Sequence, residues 1–217
     1  RPCRCVMALQ YEILPVTQFQ QNCSLVWCSE TREAALIDPG GELPRLLAAV
    51  QARGLTLKAI WLTHAHIDHA GGAGQLSREA ALPIIGPHPG DQFWIDGLAQ
   101  QSQMFGFPTA EPFVPQRWLA DGDEVQIGQE TLTVRHCPGH TPGHVVFYSA
   151  SAGRVFVGDV LFAGSIGRTD FPRGNHGQLI DAIQHKLLTL PDETVVIPGH
   201  GPETCIGDER RSNPFLQ

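Results

Sequence analysis

Four short apolar runs in this chain lead directly into a histidine or an aspartate, and no other feature restricts its fold as much. Ala59–Leu62 leads into Thr63-His64-Ala65-His66-Ile67-Asp68-His69-Ala70-Gly71-Gly72. Thr131–Cys137 leads into Pro138-Gly139-His140-Thr141-Pro142-Gly143-His144, Arg154–Val157 into Gly158-Asp159, and Val195–Ile197 into Pro198-Gly199-His200-Gly201-Pro202. Apolar runs this short, bounded by glycine and proline, read as buried strands. A fold that aligns such strand ends along one edge gathers distant polar residues into a single pocket.

The first of these motifs carries the strongest chemistry. His64 and His66 are two residues apart, so in extended backbone they point the same way. Asp68 and His69 follow as the chain turns into a helix, which aims them at a neighbouring point. Imidazole and carboxylate are ligands that a borderline divalent ion such as zinc accepts. Gly71 and Gly72 then allow close approach of backbone or metal. Any one of the three later strand ends, taken alone, reads better as a structural turn than as a ligand. Together with the first motif they read as one metal centre.

The rest of the chain supplies the scaffold. Tyr11–Val16, Cys23–Cys28 and Ala34–Asp38 read as strands, and Leu43–Arg53 as a helix with Leu43, Leu46, Leu47 and Val50 on one face. Val125–Ile127 and Val145–Tyr148 are further strands, and Gly177–Leu188 is helical. Two strand-rich halves, each with helices, predict an α/β (α+β) fold of two sheets packed together and covered by helices. Residues 87–118 are less regular; Phe93, Trp94, Phe105, Phe107, Phe113 and Trp118 read as packing, with a lid or substrate wall as the alternative.

Composition narrows the partners. The net charge is −7 and no run of Lys or Arg stands out, which argues against nucleic acid or a membrane surface. No apolar stretch reaches membrane-spanning length. Residues 1–6 precede Met7 and are read as appended or upstream translated sequence, leaving 7–217 as one domain. Cys23, Cys28, Cys137 and Cys205 show no paired spacing, so free thiols in a reducing cytoplasm are expected.

The motif set resembles that of the metallo-β-lactamase superfamily, in which HxHxDH, His140, Asp159 and His200 occur in this order and at strand ends. The resemblance implies an αββα sandwich, two mixed sheets flanked by helices, with a dinuclear site at one edge. By position it implies that His64, His66 and His140 hold one metal, that Asp68, His69 and His200 hold the other, and that Asp159 bridges them. Within the superfamily, Thr63–Gly72, Pro138–His144 and Pro198–His200 look most like glyoxalase II, the hydroxyacylglutathione hydrolases, in their short bacterial form. Two divalent ions, zinc with iron or manganese as alternatives on the same donors, are the implied cofactors.

That resemblance implies a mechanism. Ions about 3.5–4 Å apart acidify a bridging water, whose hydroxide attacks a thioester carbonyl while the metals act as Lewis acids. Asp68, a ligand with a spare oxygen, can orient the hydroxide. The site would carry a charge of about +1, favouring a small anionic thioester such as S-D-lactoylglutathione or a related acylglutathione. Where long glyoxalase II enzymes carry a glutathione-contacting Lys and Tyr, this chain has Arg168 and Asp170, and only a short tail follows His200 in place of their C-terminal helical domain. Arg168 can meet a substrate carboxylate or pair with Asp170.

Other readings remain. Gly167-Arg168-Thr169-Asp170-Phe171 also resembles the mononuclear-iron persulfide dioxygenases of the superfamily, and a lactone, ester or β-lactam is an alternative substrate. His136 and His144 read as supporting groups around His140, and His88, His176 and His185 as surface residues. Cys137 reads as a buried, inert strand residue.

Overall fold

In the computed structural model, which describes residues 9–217, the apolar runs are strands covered on both faces. Segment 1–6, expected to be appended or upstream sequence, lies outside the described residues. The first sheet contains β1 (Leu9–Val16), β2 (Gln21–Cys28), β3 (Glu33–Ile37), β4 (Thr56–Trp61) and the short β5 (Ile84–Ile85), side by side in that order. β1 to β3 are antiparallel, whereas β3, β4 and β5 run parallel. Parallel neighbours need a crossover, and α1 (Leu43–Ala52) provides it between β3 and β4. The short α2 (Ile67–Ala70) and α3 (Ala73–Ala80) do the same between β4 and β5. α4 (Gln92–Asp96) and α5 (Leu98–Phe105) follow.

The second sheet contains β6 (Glu124–Ile127), β7 (Glu130–His136), β8 (Val145–Ser149) and β9 (Arg154–Gly158). A small ribbon of β10 (Leu161–Phe162) and β11 (Ser165–Ile166) comes next, then α6 (His176–Ala182), β12 (Val195–Pro198), β13 (Thr204–Cys205) and α7 (Ile206–Ser212). Its spatial order is β13-β12-β9-β8-β7-β6, with only β9 and β12 parallel.

Three cores separate four layers, and strand alternation explains each. In β3, Ala34 and Leu36 face α1 and α3, while Ala35 and Ile37 face the second sheet. In β9, Phe156 faces the first sheet, while Val155 and Val157 pack under α6 and α7 with Leu179, Ile183 and Ile206. A strand buried on both faces must be apolar at every position, hence the near-continuous runs. Trp61 stacks on Phe147 across the central layer, with ring centres 5.4 Å apart. Such burial contributes roughly 1.5–3 kcal/mol for each large side chain. This is the αββα sandwich expected from the sequence.

The structure departs from the sequence reading in three places. The helix expected near His69 is two pieces broken around Gly71 and Gly72. A side chain at Gly72 would come within 2.5 Å of the Pro39 carbonyl oxygen. These glycines therefore admit the 38–41 turn. The helix expected over 177–188 is α6 plus a widened last turn, in which Leu188 N–H reaches the Ile183 carbonyl at 2.8 Å. Residues 87–118, expected to be irregular, contain α4 and α5.

Candidate metal centre

The ends of β7, β9 and β12, which run in the same direction in the second sheet, meet the end of β4 from the first sheet at one edge of the sandwich. Every ligand candidate from the sequence is found at that edge. One ligand atom from each of His64, His66 and His140 lies within 4.8 Å of the others, and the same holds for Asp68, His69, Asp159 and His200. The two clusters touch through Asp159, whose Oδ2 is 3.5 Å from His140 Nε2, 3.7 Å from His64 Nε2 and 3.1 Å from His69 Nε2. Its other oxygen, Oδ1, is 3.0 Å from His200 Nδ1.

The hydrogen-bond network sets the imidazole tautomers. Asp38 Oδ2 accepts the Thr63 hydroxyl at 2.6 Å, so the Thr63 oxygen accepts from His64 Nδ1 at 2.9 Å. His140 Nδ1 donates to the Arg168 carbonyl at 2.7 Å. In both rings Nε2 is left with a free lone pair. The Nε2 atoms of His64, His66 and His140 are all buried without a hydrogen-bond partner. Orphaned buried nitrogens are costly, and three converging ones fit a cation. Burial, followed by repulsion from neighbouring imidazoles, holds His64 and His66 well below the ordinary histidine range, so both rings are neutral at pH 7, the form a metal ligand requires.

The second cluster is polarised differently. His69 Nδ1 donates to Asp38 Oδ2 at 2.8 Å, which turns Nε2 toward Asp159 and Asp68. Burial opposes its protonation, but attraction to Asp159 and Asp68 outweighs this and raises its pKa well above 6.5. His200 is held between Asp159 Oδ1 and Asp68 Oδ2, each at 3.0 Å. Burial again opposes, and the two carboxylates still raise His200 to about 9. Burial alone would raise Asp159, yet attraction to His69 and the hydrogen bonds from His69 and His200 bring it well below the carboxylate range. The donor set, five imidazoles and two carboxylates in two adjoining groups, suits two divalent ions.

Sequence reasoning missed the supports. Asp38 accepts from Thr63 N–H, the Thr63 hydroxyl and His69 Nδ1, and so orients ligands in both clusters. Its signal was present: Asp38-Pro39-Gly40-Gly41 is another strand-end aspartate. Asp91 is fully buried and accepts from Ala65 N–H, Gly143 N–H and the Thr141 hydroxyl, tying the first motif to the His140 loop. Burial raises its pKa to about 6, against these hydrogen bonds. Asn22, in β2, reaches across to the last motif, donating to the carbonyls of Pro198, Gly199 and Gly201. Gly199 must be bare, because a side chain there would come within 2.5 Å of Asp159 Oδ1.

The remaining histidines fall into three groups. His144 stacks on His64 at 4.4 Å and accepts the Asp159 backbone N–H at 3.1 Å, the supporting role expected. His88, expected on the surface, is instead half-buried and stacked on His136 at 4.0 Å. His176 and His185 are exposed as expected, and Cys137 is buried.

A pocket of about 670 Å³ opens over the centre, and His66, Asp68, His140, Asp159 and His200 form its floor. Its walls are Phe93, Trp94 and Phe105 from the 87–118 region, with Phe19 and Phe171. Trp94, Phe105, Phe107, Phe113 and Trp118 all pack on the first core, the reading expected, and Trp94 and Phe105 serve as pocket wall as well. Arg168 lines the pocket, but its guanidinium is bound to Asp170 by bonds of 2.6 and 2.7 Å. No helix among the described residues is long and apolar enough to cross a membrane.

A family model for the metallo-beta-lactamase superfamily matches residues 16–200. The chain is 47% identical to the hydroxyacylglutathione hydrolase GloC of Haemophilus influenzae, over 96% of this chain and 98% of that protein. It is similar to the solved B3 metallo-beta-lactamase BLEG-1, with a TM-score of 0.88 and 36% identity over 96% of this chain and 100% of the other. It is also similar to TTHA1623, solved in a di-iron-bound form, with a TM-score of 0.86 and 41% identity over 94% of this chain and 100% of the other.

Proposed function

The chain belongs to the metallo-beta-lactamase superfamily, and we propose that within it the protein is a dinuclear metal-dependent hydrolase that cleaves the thioester of an acylated glutathione, S-D-lactoylglutathione or a close relative. The observation that carries the dinuclear reading is Asp159, whose Oδ2 lies among His64, His140 and His69 of both clusters while its Oδ1 meets His200. The likeness to a hydroxyacylglutathione hydrolase along nearly the full length of both chains supports the thioester.

In this reading His64, His66 and His140 hold one ion, Asp68, His69 and His200 hold the second, and Asp159 bridges. Zinc suits the donors, as do iron and manganese. When bound, the ions supply Lewis acidity at the carbonyl and an acidified water for its hydrolysis. Asp68 lines the pocket while one of its oxygens is engaged by His200, which fixes the carboxylate to orient that water. Asp38 keeps His64 and His69 in their ligand tautomers. The aromatic walls exclude bulk water from the acyl group, and the departing thiolate needs little acid assistance. A cytoplasmic location accompanies this reading, since glutathione and unpaired cysteines belong to reducing compartments.

The test is a substrate panel with metal analysis on the same sample. The expected result is two ions per chain and preferred turnover of acylglutathiones over lactones and β-lactams. Two bound ions with β-lactam or lactone turnover, but none on thioesters, would overturn the substrate. One iron per chain with oxygen consumption would overturn the reaction class.

A further inference from the structure

The pocket is walled by aromatic rings, yet two guanidinium groups stand over them. Arg168 lies 4.1 Å from the ring centre of Phe171, and Arg173 lies 4.0 Å from that of Phe93; both rings line the pocket. The two charges differ in availability. Asp170 neutralises Arg168 through two parallel hydrogen bonds. Arg173 forms no ion pair among the described residues. A guanidinium stacked by its face on a ring keeps its in-plane N–H donors free, in the fork that fits a carboxylate.

The backbone also holds Arg173 in place. Its φ is 64°, a left-handed conformation that glycine or asparagine adopts more readily than arginine. Gly174 N–H donates to the Phe171 carbonyl at 2.9 Å, and Asn175 N–H donates to the Gly139 carbonyl at 2.8 Å. The second bond ties the turn to the loop that carries His140. Arg173 is exposed and stands over Phe93 at the side of the pocket, its turn tied to the loop of His140, and it pairs with no carboxylate among the described residues.

We infer that Arg173 is a carboxylate-binding subsite, which takes an anionic end of the substrate's thiol carrier while the apolar part lies along Phe93 and Trp94. This deepens the acylglutathione reading and rests on it for the substrate class. It assigns specificity to Arg173 over Arg168, whose charge is already met within the protein.

The test uses S-hexylglutathione, which has the carrier's carboxylates but no thioester, against N-acetyl-S-hexylcysteamine, which keeps the alkyl chain and is neutral. Affinities are measured by calorimetry on the metal-loaded protein. Arg173→Asn suits the left-handed backbone, and Arg173→Gln is a second variant should the first fold poorly. Loss of the charge should weaken S-hexylglutathione about tenfold to hundredfold, the range of a charge-assisted hydrogen bond, and leave the neutral ligand within about twofold. Arg173→Lys should recover part of the loss. Unchanged affinity, equal loss on both ligands, no binding of S-hexylglutathione to the unmodified protein, or a larger selective loss from Arg168→Ala would each overturn the proposal. If the unmodified protein hydrolyses no thioester while Arg173→Asn still weakens S-hexylglutathione selectively, the subsite stands and the assigned reaction falls.

Discussion

The two halves of the metal centre satisfy their polar groups in opposite ways. His64, His66 and His140 present Nε2 atoms that no protein group engages, and burial keeps His64 and His66 neutral. Asp68, His69, Asp159 and His200 engage one another, and attraction among them raises both histidines. An ion entering the first half gains lone pairs already aimed, with His64 and His66 already neutral. An ion entering the second must replace internal pairs and release protons. The three-histidine half should therefore be the tighter site, and the acidic half the weaker and more pH-sensitive one.

Asp159→Ala offers the largest test, because that residue joins the halves. Both ions should be weakened and turnover should fall by roughly a thousandfold or more. Retention of two tightly bound ions by metal analysis, with normal kcat/KM, would show that the halves do not share this residue. Metal removal comes next. Ions bind the folded chain preferentially, so at a hundred to a thousand times Kd they should add about 3–4 kcal/mol. Chelation should lower Tm accordingly, and restoring a single ion per chain should recover most of the loss if the first half is the tighter one.

Asp38→Ala sharpens the comparison at smaller scale. Removing the acceptor behind His69 should weaken the second ion about tenfold to hundredfold. His64 keeps its Thr63 partner, so the first ion should be affected less; equal losses, read by competition titration, would argue against separate halves. The smallest effect is a pH trend in the metal-stripped protein. His200 titrates at about 9 in the folded chain against 6.5 for an ordinary histidine, so its contribution is complete below 6.5 and is lost as pH rises through about 9. Allowing for solvent screening, the loss is on the order of 1–2 kcal/mol. His64 and His66 act in the opposite sense, costing stability only as pH falls below 6.5. A Tm flat between pH 6.5 and 9 in the stripped protein, with His200→Gln showing the same profile, would remove His200 from that balance.

Much of the fold was legible because strands buried on two faces leave an unmistakable pattern. β3, β4, β8 and β9 all follow apolar runs that the sequence displays. The α4–α5 region was illegible for the converse reason. Short helices with mixed faces, such as Gln92–Asp96 and Leu98–Phe105, carry little periodicity, and their aromatic residues serve the pocket wall as much as the core. His88 was misread because its burial comes from stacking on His136, a residue far away in sequence.

The candidate ligand types, their order and their placement at strand ends could be read from the chain alone, because donor chemistry is local: HxHxDH places four potential donors within six neighbouring positions. Which groups face which depends on how the sheets pack. Asp38, Asp91 and Asn22 act through hydrogen bonds to residues brought near by sheet packing, and nothing in their local sequence marks those partners. The same holds for the arginines. Asp170 lies two residues from Arg168 and invites pairing on sequence alone, whereas Arg173 gains its place over Phe93 from a helix on the far side of the pocket. Spacing along the chain reveals what a residue can do, but the neighbours that make it do so are set by strands and helices converging from across the fold.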